Sequence, residues 1–141
     1  MMQRNERQDL IREIVRNQQI RTQRELVEAL AQRGLECTQA TVSRDVAEIG
    51  LQKRSDGFYI LSEDVHMRRM VGDLVQSVEV ANNIVVVKAL QGTAQGVAAA
   101  LDAASIPMVL GTVAGDDTIL IVAKDEPGAR QFQQTLERLK S

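Results

Sequence analysis

Tryptophan is absent from this 141-residue chain, and two phenylalanines and one tyrosine are its whole aromatic complement. A platform for single-stranded nucleic acid stacks bases on aromatic rings, so that mode of binding is not expected. Cys37 stands alone, which rules out an intrachain disulfide and fits a reducing compartment, the cytoplasm. His66 is the one histidine, so a cysteine–histidine metal centre lacks its ligands. No apolar run reaches the roughly 18–20 residues that cross a bilayer, and the opening Met1-Met2-Gln3-Arg4-Asn5-Glu6 does not read as a signal peptide. At 44% hydrophobic, 26% charged and net charge −2, the chain reads as soluble and globular, with length for one medium domain or two small ones.

The small net charge hides an asymmetry. Residues 1–70 carry 12 Lys+Arg against 11 Asp+Glu, net +1, whereas residues 71–141 carry 5 against 8, net −3. Almost all the basic residues of the first half are arginine, whose planar fork suits phosphates and base edges. Two small domains with different partners are expected.

In the first half, Asn5 is placed to cap a helix striped by Leu10, Ile11, Ile14 and Val15. Thr22-Gln23-Arg24-Glu25 is a capping box, followed by Leu26, Val27 and Leu30 and stopped at Gly34. Thr38 caps a third helix running to Gly50. Three short helices with brief turns fit a helix-turn-helix core. On the third, Val42, Val46 and Ile49 lie within about 60° of one another and face inward, so Arg44 points away. Small residues, Ala40, Thr41, Ser43 and Ala47, surround Arg44. A helix of that shape can sit deep in a major groove, with Arg44 on guanine and Gln39, Thr41 and Ser43 on other base edges or phosphates. An ordinary amphipathic helix explains the inward stripe but not the small-residue rim. Asp56-Gly57 then reads as a hairpin turn before Phe58-Tyr59-Ile60-Leu61, the wing of a winged helix-turn-helix. Lys53 and Arg54 on its arm are expected to meet the phosphate backbone.

Residues 63–76 read as a polar linker that turns helical as Val71, Leu74, Val75 and Val78 appear at helical spacing. The domains expected are therefore 1–62, a winged helix-turn-helix, and 77–141. The second has the pattern β-β-α-β-β-α, an α+β layer with its helices on one sheet face. Val78–Ala81 and 84–90 flank an Asn82-Asn83 turn, 92–104 is an alanine-rich helix, and Asp125 caps a last helix with Pro127 in its first turn. So many valines and isoleucines in so small a layer favour pairing of the other sheet face with another subunit.

The stretch Val109–Val122 holds the chemistry. Two β-prone runs, Val109–Ala114 and Thr118–Ala123, flank the corner Gly115-Asp116-Asp117. Two carboxylates about 5 Å apart repel by about 3 kcal/mol at an effective dielectric near 20, which a cation would relieve. Gln95 and Asp102, seven residues apart, share one face of the preceding helix. One amide and three carboxylates suit an organic guanidinium or ammonium; Mg²⁺ is the rival guest. No histidine, lysine or nucleophile clearly belongs beside them, so an enzyme, a small metal-dependent phosphotransferase built on Asp102, Asp116 and Asp117, lacks working parts. An amino-acid-sensing module acting through protein partners is the other alternative; the Arg44 face and the wing argue against it.

Thr38-Gln39-Ala40-Thr41-Val42-Ser43-Arg44-Asp45 and Gly111-Thr112-Val113-Ala114-Gly115-Asp116-Asp117-Thr118-Ile119-Leu120 closely resemble two signature stretches of the bacterial arginine repressors. The likeness covers essentially the whole chain in the same domain order. It implies a cytoplasmic, non-enzymatic regulator with a winged helix for double-stranded operator DNA and a C-terminal domain that binds L-arginine. That domain forms trimers, two of which stack into a hexamer with arginine at the trimer–trimer interface. The resemblance makes Gln39, Thr41, Ser43 and Arg44 the operator-reading set. It makes Gln95, Asp102, Asp116 and Asp117 the arginine pocket, with backbone help around Thr112–Ala114 and no metal. The chain departs from the family at Ala103-Ala104-Ser105-Ile106-Pro107, where many members carry a bulkier, slightly longer segment. Repression of arginine biosynthesis, activation of catabolism and an accessory role in recombination all share this architecture.

Overall fold

The computed structural model describes residues 4–140. It divides into two compact units, Met1–Ser62 and Glu63–Ser141. The first contains helices α1 (Arg4–Asn17), α2 (Gln23–Gln32) and α3 (Gln39–Ile49) and the strands β1 (Leu51–Lys53) and β2 (Tyr59–Leu61). Its core gathers Ile11, Ile14, Val15, Ile20, Leu26, Ala29, Leu30 and Val42. Local chemistry sets the boundaries. Thr22 Oγ1 accepts the Glu25 amide at 3.0 Å, and Glu25 reaches back to the Arg21 amide at 2.8 Å, one residue earlier than the usual reciprocal bond. Thr38 caps α3 through the Thr41 amide, and Gly50 closes it in the left-handed region at φ +82°. Asn5 is not a cap, because α1 already includes Arg4.

The hairpin pairs Leu51 with Leu61, Gln52 with Ile60 and Lys53 with Tyr59. Its turn is closed by the Arg54 amide on the Phe58 carbonyl at 2.8 Å and the Gly57 amide on the Arg54 carbonyl at 2.9 Å. Gly57, at φ +90°, supplies the left-handed residue that such a three-residue loop requires.

Helix α4 (Ser62–Leu74) starts at the last residue of the first unit and leads into the second, where β3 (Val75–Ala81), β4 (Ile84–Ala89), α5 (Ala94–Ala103), β5 (Val109–Ala114), β6 (Thr118–Ala123) and α6 (Glu126–Leu139) follow. The expected linker, 63–76, is thus α4 and the opening of β3. Val75 is paired with Ala89 in the sheet rather than continuing the helix. The strands form one antiparallel sheet in the order β3-β4-β6-β5. Asp125 Oδ1 accepts the Gly128 amide at 2.7 Å and caps α6. Helices α5 and α6 cover one face, where Val78, Val85, Val87, Ile119, Ile121, Phe132 and Leu136 are buried with Ala94, Ala98 and Ala100 of α5. Their strand neighbours point the other way. On that face Val113 is 70% exposed, Leu120 45% and Val122 37%, and Leu110 beside them is 65% exposed.

Candidate nucleic-acid interface and ligand site

The outward face of α3 is built by its inward one. Val42 has no exposed surface, Val46 and Ile49 are half-buried, and Gln39, Ala40, Ser43, Arg44 and Ala47 are exposed. Arg44 therefore stands out among small neighbours, as its spacing suggested. Thr41 differs from the others. It is half-buried, its amide is capped by Thr38, and the two hydroxyls lie 3.0 Å apart. Its hydroxyl is engaged locally before any base edge is considered.

The wing cations are also engaged. The Lys53 ammonium donates to the Arg21 carbonyl and, at 3.3 Å, to the Gly57 carbonyl, and it lies 4.5 Å from the Tyr59 ring centroid. Arg54 pairs with Asp56 at 2.9 Å, and Arg21 lies 4.4 Å from the Phe58 centroid. Lys53 and Arg54 brace the hairpin, and any phosphate contact would compete with those partners.

Sequence reasoning missed Asp45. Its side chain is 2% exposed, and Arg7 of α1 grips it with Nε at 2.5 Å and Nη2 at 2.9 Å. Gln8, itself buried, donates to Asp45 at 3.1 Å and to Glu48 at 2.7 Å, while Arg4 meets Glu48 at 2.6 Å. Burial pushes the Asp45 carboxyl up. The bonds from Arg7 and Gln8 and the guanidinium charge outweigh it and hold the group below the usual carboxylate range. The bond to Asp45 raises Arg7 above its ordinary value. Burial raises the Cys37 thiol nearby. Asp45 lies on the edge of the inward stripe, three residues from Val42, and that position was the available signal.

In the second unit, α5 runs antiparallel to β5, the edge strand. The Ala94 amide at the start of α5 donates to the Asp116 carbonyl at 3.1 Å, and the Ala89 amide donates to the Asp117 carbonyl at 2.8 Å. Those bonds bring the acidic corner beside the turn that carries Gln95. At the other end of α5, Thr112 Oγ1 donates to both oxygens of Asp102, at 3.0 and 3.1 Å. Gln95 and Asp102 share a helix face but lie about 10 Å apart along the axis. Gln95, Asp102, Thr112, Ala114, Asp116 and Asp117 therefore make a strip along the α5–β5 edge, with the corner at one end and Asp102 at the other.

A cavity of about 140 Å³ opens at the Asp102 end, lined by Leu101, Asp102, Ser105, Ile106, Val109, Leu110 and Gly111. The short loop Ala103–Pro107 thus supplies two of its walls, and Ser105 takes φ +52° within it. At the corner, Lys88 donates to Thr118 Oγ1 at 2.7 Å, and that hydroxyl donates to Asp117 at 2.8 Å. Lys88, in register with Thr118 across β4 and β6, is a cation near the corner that the sequence did not reveal. No cluster of three or more metal-ligating side chains occurs among the described residues.

Comparison with known proteins bears on both halves. Residues 2–66 match the family model for the arginine repressor DNA binding domain, and residues 71–138 match that for the arginine repressor C-terminal domain. The arginine repressor of Carboxydothermus hydrogenoformans is 46% identical over 130 residues, which cover 84% of this chain and 87% of that protein. That of Symbiobacterium thermophilum is 43% identical over 143 residues, covering 94% and 95%. The arginine repressor of Thermus thermophilus is 42% identical over 139 residues, covering 91% and 85%. With both of its units matched, this chain belongs to the arginine repressor family.

Proposed function

We infer that the protein is an arginine-responsive transcriptional repressor that reads operator DNA with α3 and takes L-arginine as corepressor along the α5–β5 edge. It acts on DNA in the cytoplasm and performs no catalysis. The observation that carries the reading is the outward face of α3, where exposed Arg44 is rimmed by Ala40, Ser43 and Ala47 on a helix capped at both ends. Gln39, Thr41 and Ser43 accompany Arg44 at the bases, with Thr41 positioned by its cap; Lys53 and Arg54 contribute from the wing. Domain limits of 1–62 and 77–141, joined through 63–76, accord with this division of labour.

Arginine carries two donor-rich cationic groups, and the strip offers carboxylates at both ends. Asp116 and Asp117 take one group, Gln95 orients it, and Asp102, held by Thr112, takes the other or its counterpart across an interface. The exposed sheet face at Leu110, Val113, Leu120 and Val122 supports assembly into trimers, and facing trimers into a hexamer. Aspartates brought together between trimers repel until arginine neutralises them, so ligand affinity and assembly strengthen each other. Several winged helices then engage paired half-sites together, and avidity follows the assembly.

Sedimentation velocity with L-arginine, and with L-lysine and L-citrulline as controls, tests the sensor. Arginine-selective growth or tightening of the assembly is expected, and Asp117→Asn should abolish it while the fold persists. An equal response to all three amino acids, or a normal response from Asp117→Asn, overturns the assignment of the corner.

A further inference from the structure

The three-helix unit holds α3 in two ways. Its wholly buried positions on that helix are Val42 and Asp45, one apolar and one ionised. Apolar contact is non-directional and tolerates small rotations of a helix about its axis. A bidentate guanidinium–carboxylate pair does not, because the fork must stay in plane with both oxygens. Arg7 makes that fork with Asp45, and Gln8 ties Asp45 to Glu48 one turn on. The grip falls beside the apolar stripe, on the flank of α3 turned to α1, and Asp45 directly follows Arg44 in the chain.

We propose that the Arg7–Asp45 pair, with Gln8, is a positioning device that sets the rotation of α3, so that Arg44 and its neighbours meet base edges in register. This rests on α3 being the DNA-reading helix. The geometry gives the device leverage. A Cα lies about 2.3 Å from the helix axis, and an extended arginine head about 8 Å from it. A 10° rotation would move that head by about 1.4 Å, whereas a good N–H···O bond spans only about 0.5 Å in length. A rotation the apolar core barely resists would therefore cost the base contacts while leaving phosphate contacts largely available. Burial alone does not call for a carboxylate here, since apolar side chains commonly replace a buried ion pair without loss of stability.

The test compares the unsubstituted chain, Asp45→Asn, Arg7→Lys, their double variant and Val15→Ala, all as full-length protein with L-arginine present. The probes are a duplex that the unsubstituted protein enriches from a random pool and an unrelated duplex of equal length, titrated at one salt concentration. Asp45→Asn and Arg7→Lys should each lower the ratio of the two affinities about tenfold or more, with binding to the unrelated duplex held within about twofold. The double variant should discriminate no worse than the poorer single one, as expected for coupled residues. Val15→Ala weakens the same core without touching the pair, and should keep the ratio within about twofold. Arg7→Lys keeps the charge and loses the fork, so it decides the matter if Asp45→Asn does not fold. Unchanged discrimination in the folded variants, or an equal loss in Val15→Ala at a matched thermal midpoint, overturns the positioning role alone. Failure of the unsubstituted protein to enrich any duplex overturns the reading of α3 and this proposal with it.

Discussion

Replacing Gly50 by alanine tests how the end of α3 is built. Gly50 sits at φ +82°, and a methyl group there would lie 3.1 Å from Ser62 Oγ and 3.7 Å from Ser62 Cβ. That hydroxyl has little freedom to retreat. It donates to the Gly50 carbonyl and accepts from Gln52 Nε2 at 3.0 Å, and the Ser62 amide also donates to Gly50 at 3.2 Å. Gly34 provides the control, with φ +83° and nothing within 4 Å of the added carbon. Left-handed backbone costs alanine about 1–2 kcal/mol, offset in part by the lower entropy of the unfolded chain. Gly34→Ala should therefore cost about 1 kcal/mol. Gly50→Ala adds the crowding or the loss of a Ser62 hydrogen bond, for about 2–3 kcal/mol in all. Native-state hydrogen exchange at Ile14 and Leu30, core residues with no exposed surface, reads the first unit directly. Exchange should quicken about 5-fold in Gly34→Ala and about 30- to 150-fold in Gly50→Ala. Adding Ser62→Ala to Gly50→Ala removes the obstructing oxygen and should recover part of the difference. Equal exchange in the two glycine variants would refute the crowding argument.

Three further outcomes are expected. Arg44→Ala should cost about 1–3 kcal/mol of binding to the enriched duplex and relax base choice at one position, which a titration against single-base variants checks. Val113→Lys places a charge on the open sheet face opposite Leu120; it should leave the unit folded but shift sedimentation toward smaller species, and undiminished assembly would count against that face. The Asp45 carboxyl titrates below its ordinary range, so its pairing contributes fully above about pH 4 and is lost as pH falls through the depressed folded value. The stability gap between unsubstituted protein and Asp45→Asn, followed by urea unfolding, should accordingly be flat from pH 8 to about 5 and narrow in stronger acid. A gap that narrows already between pH 7 and 5 would contradict the ion pair.

What could be read from the sequence was chiefly local. The caps at Thr22, Thr38 and Asp125 act within three residues, and their backbone bonds fall where the residue types point. The β-prone runs Val109–Ala114 and Thr118–Ala123 flank a turn, and the observed strand limits agree with them. The outward position of Arg44 follows from helical geometry and one apolar stripe. Contacts distant in sequence decided the rest. Val71, Leu74, Val75 and Val78 carry a helical period, yet pairing with β4 draws the chain into a strand at Val75, because a sheet ladder outweighs a local pattern. Asp45 is buried against Arg7, 38 residues away, and no spacing rule links the two. Lys53 and Arg54 look like free cations in sequence, but folding brings carbonyls, a carboxylate and a ring to them. Composition and spacing thus determined most of the elements and their caps. Tertiary structure alone decided which charges are engaged, since desolvation and pairing depend on what the fold brings within hydrogen-bond reach.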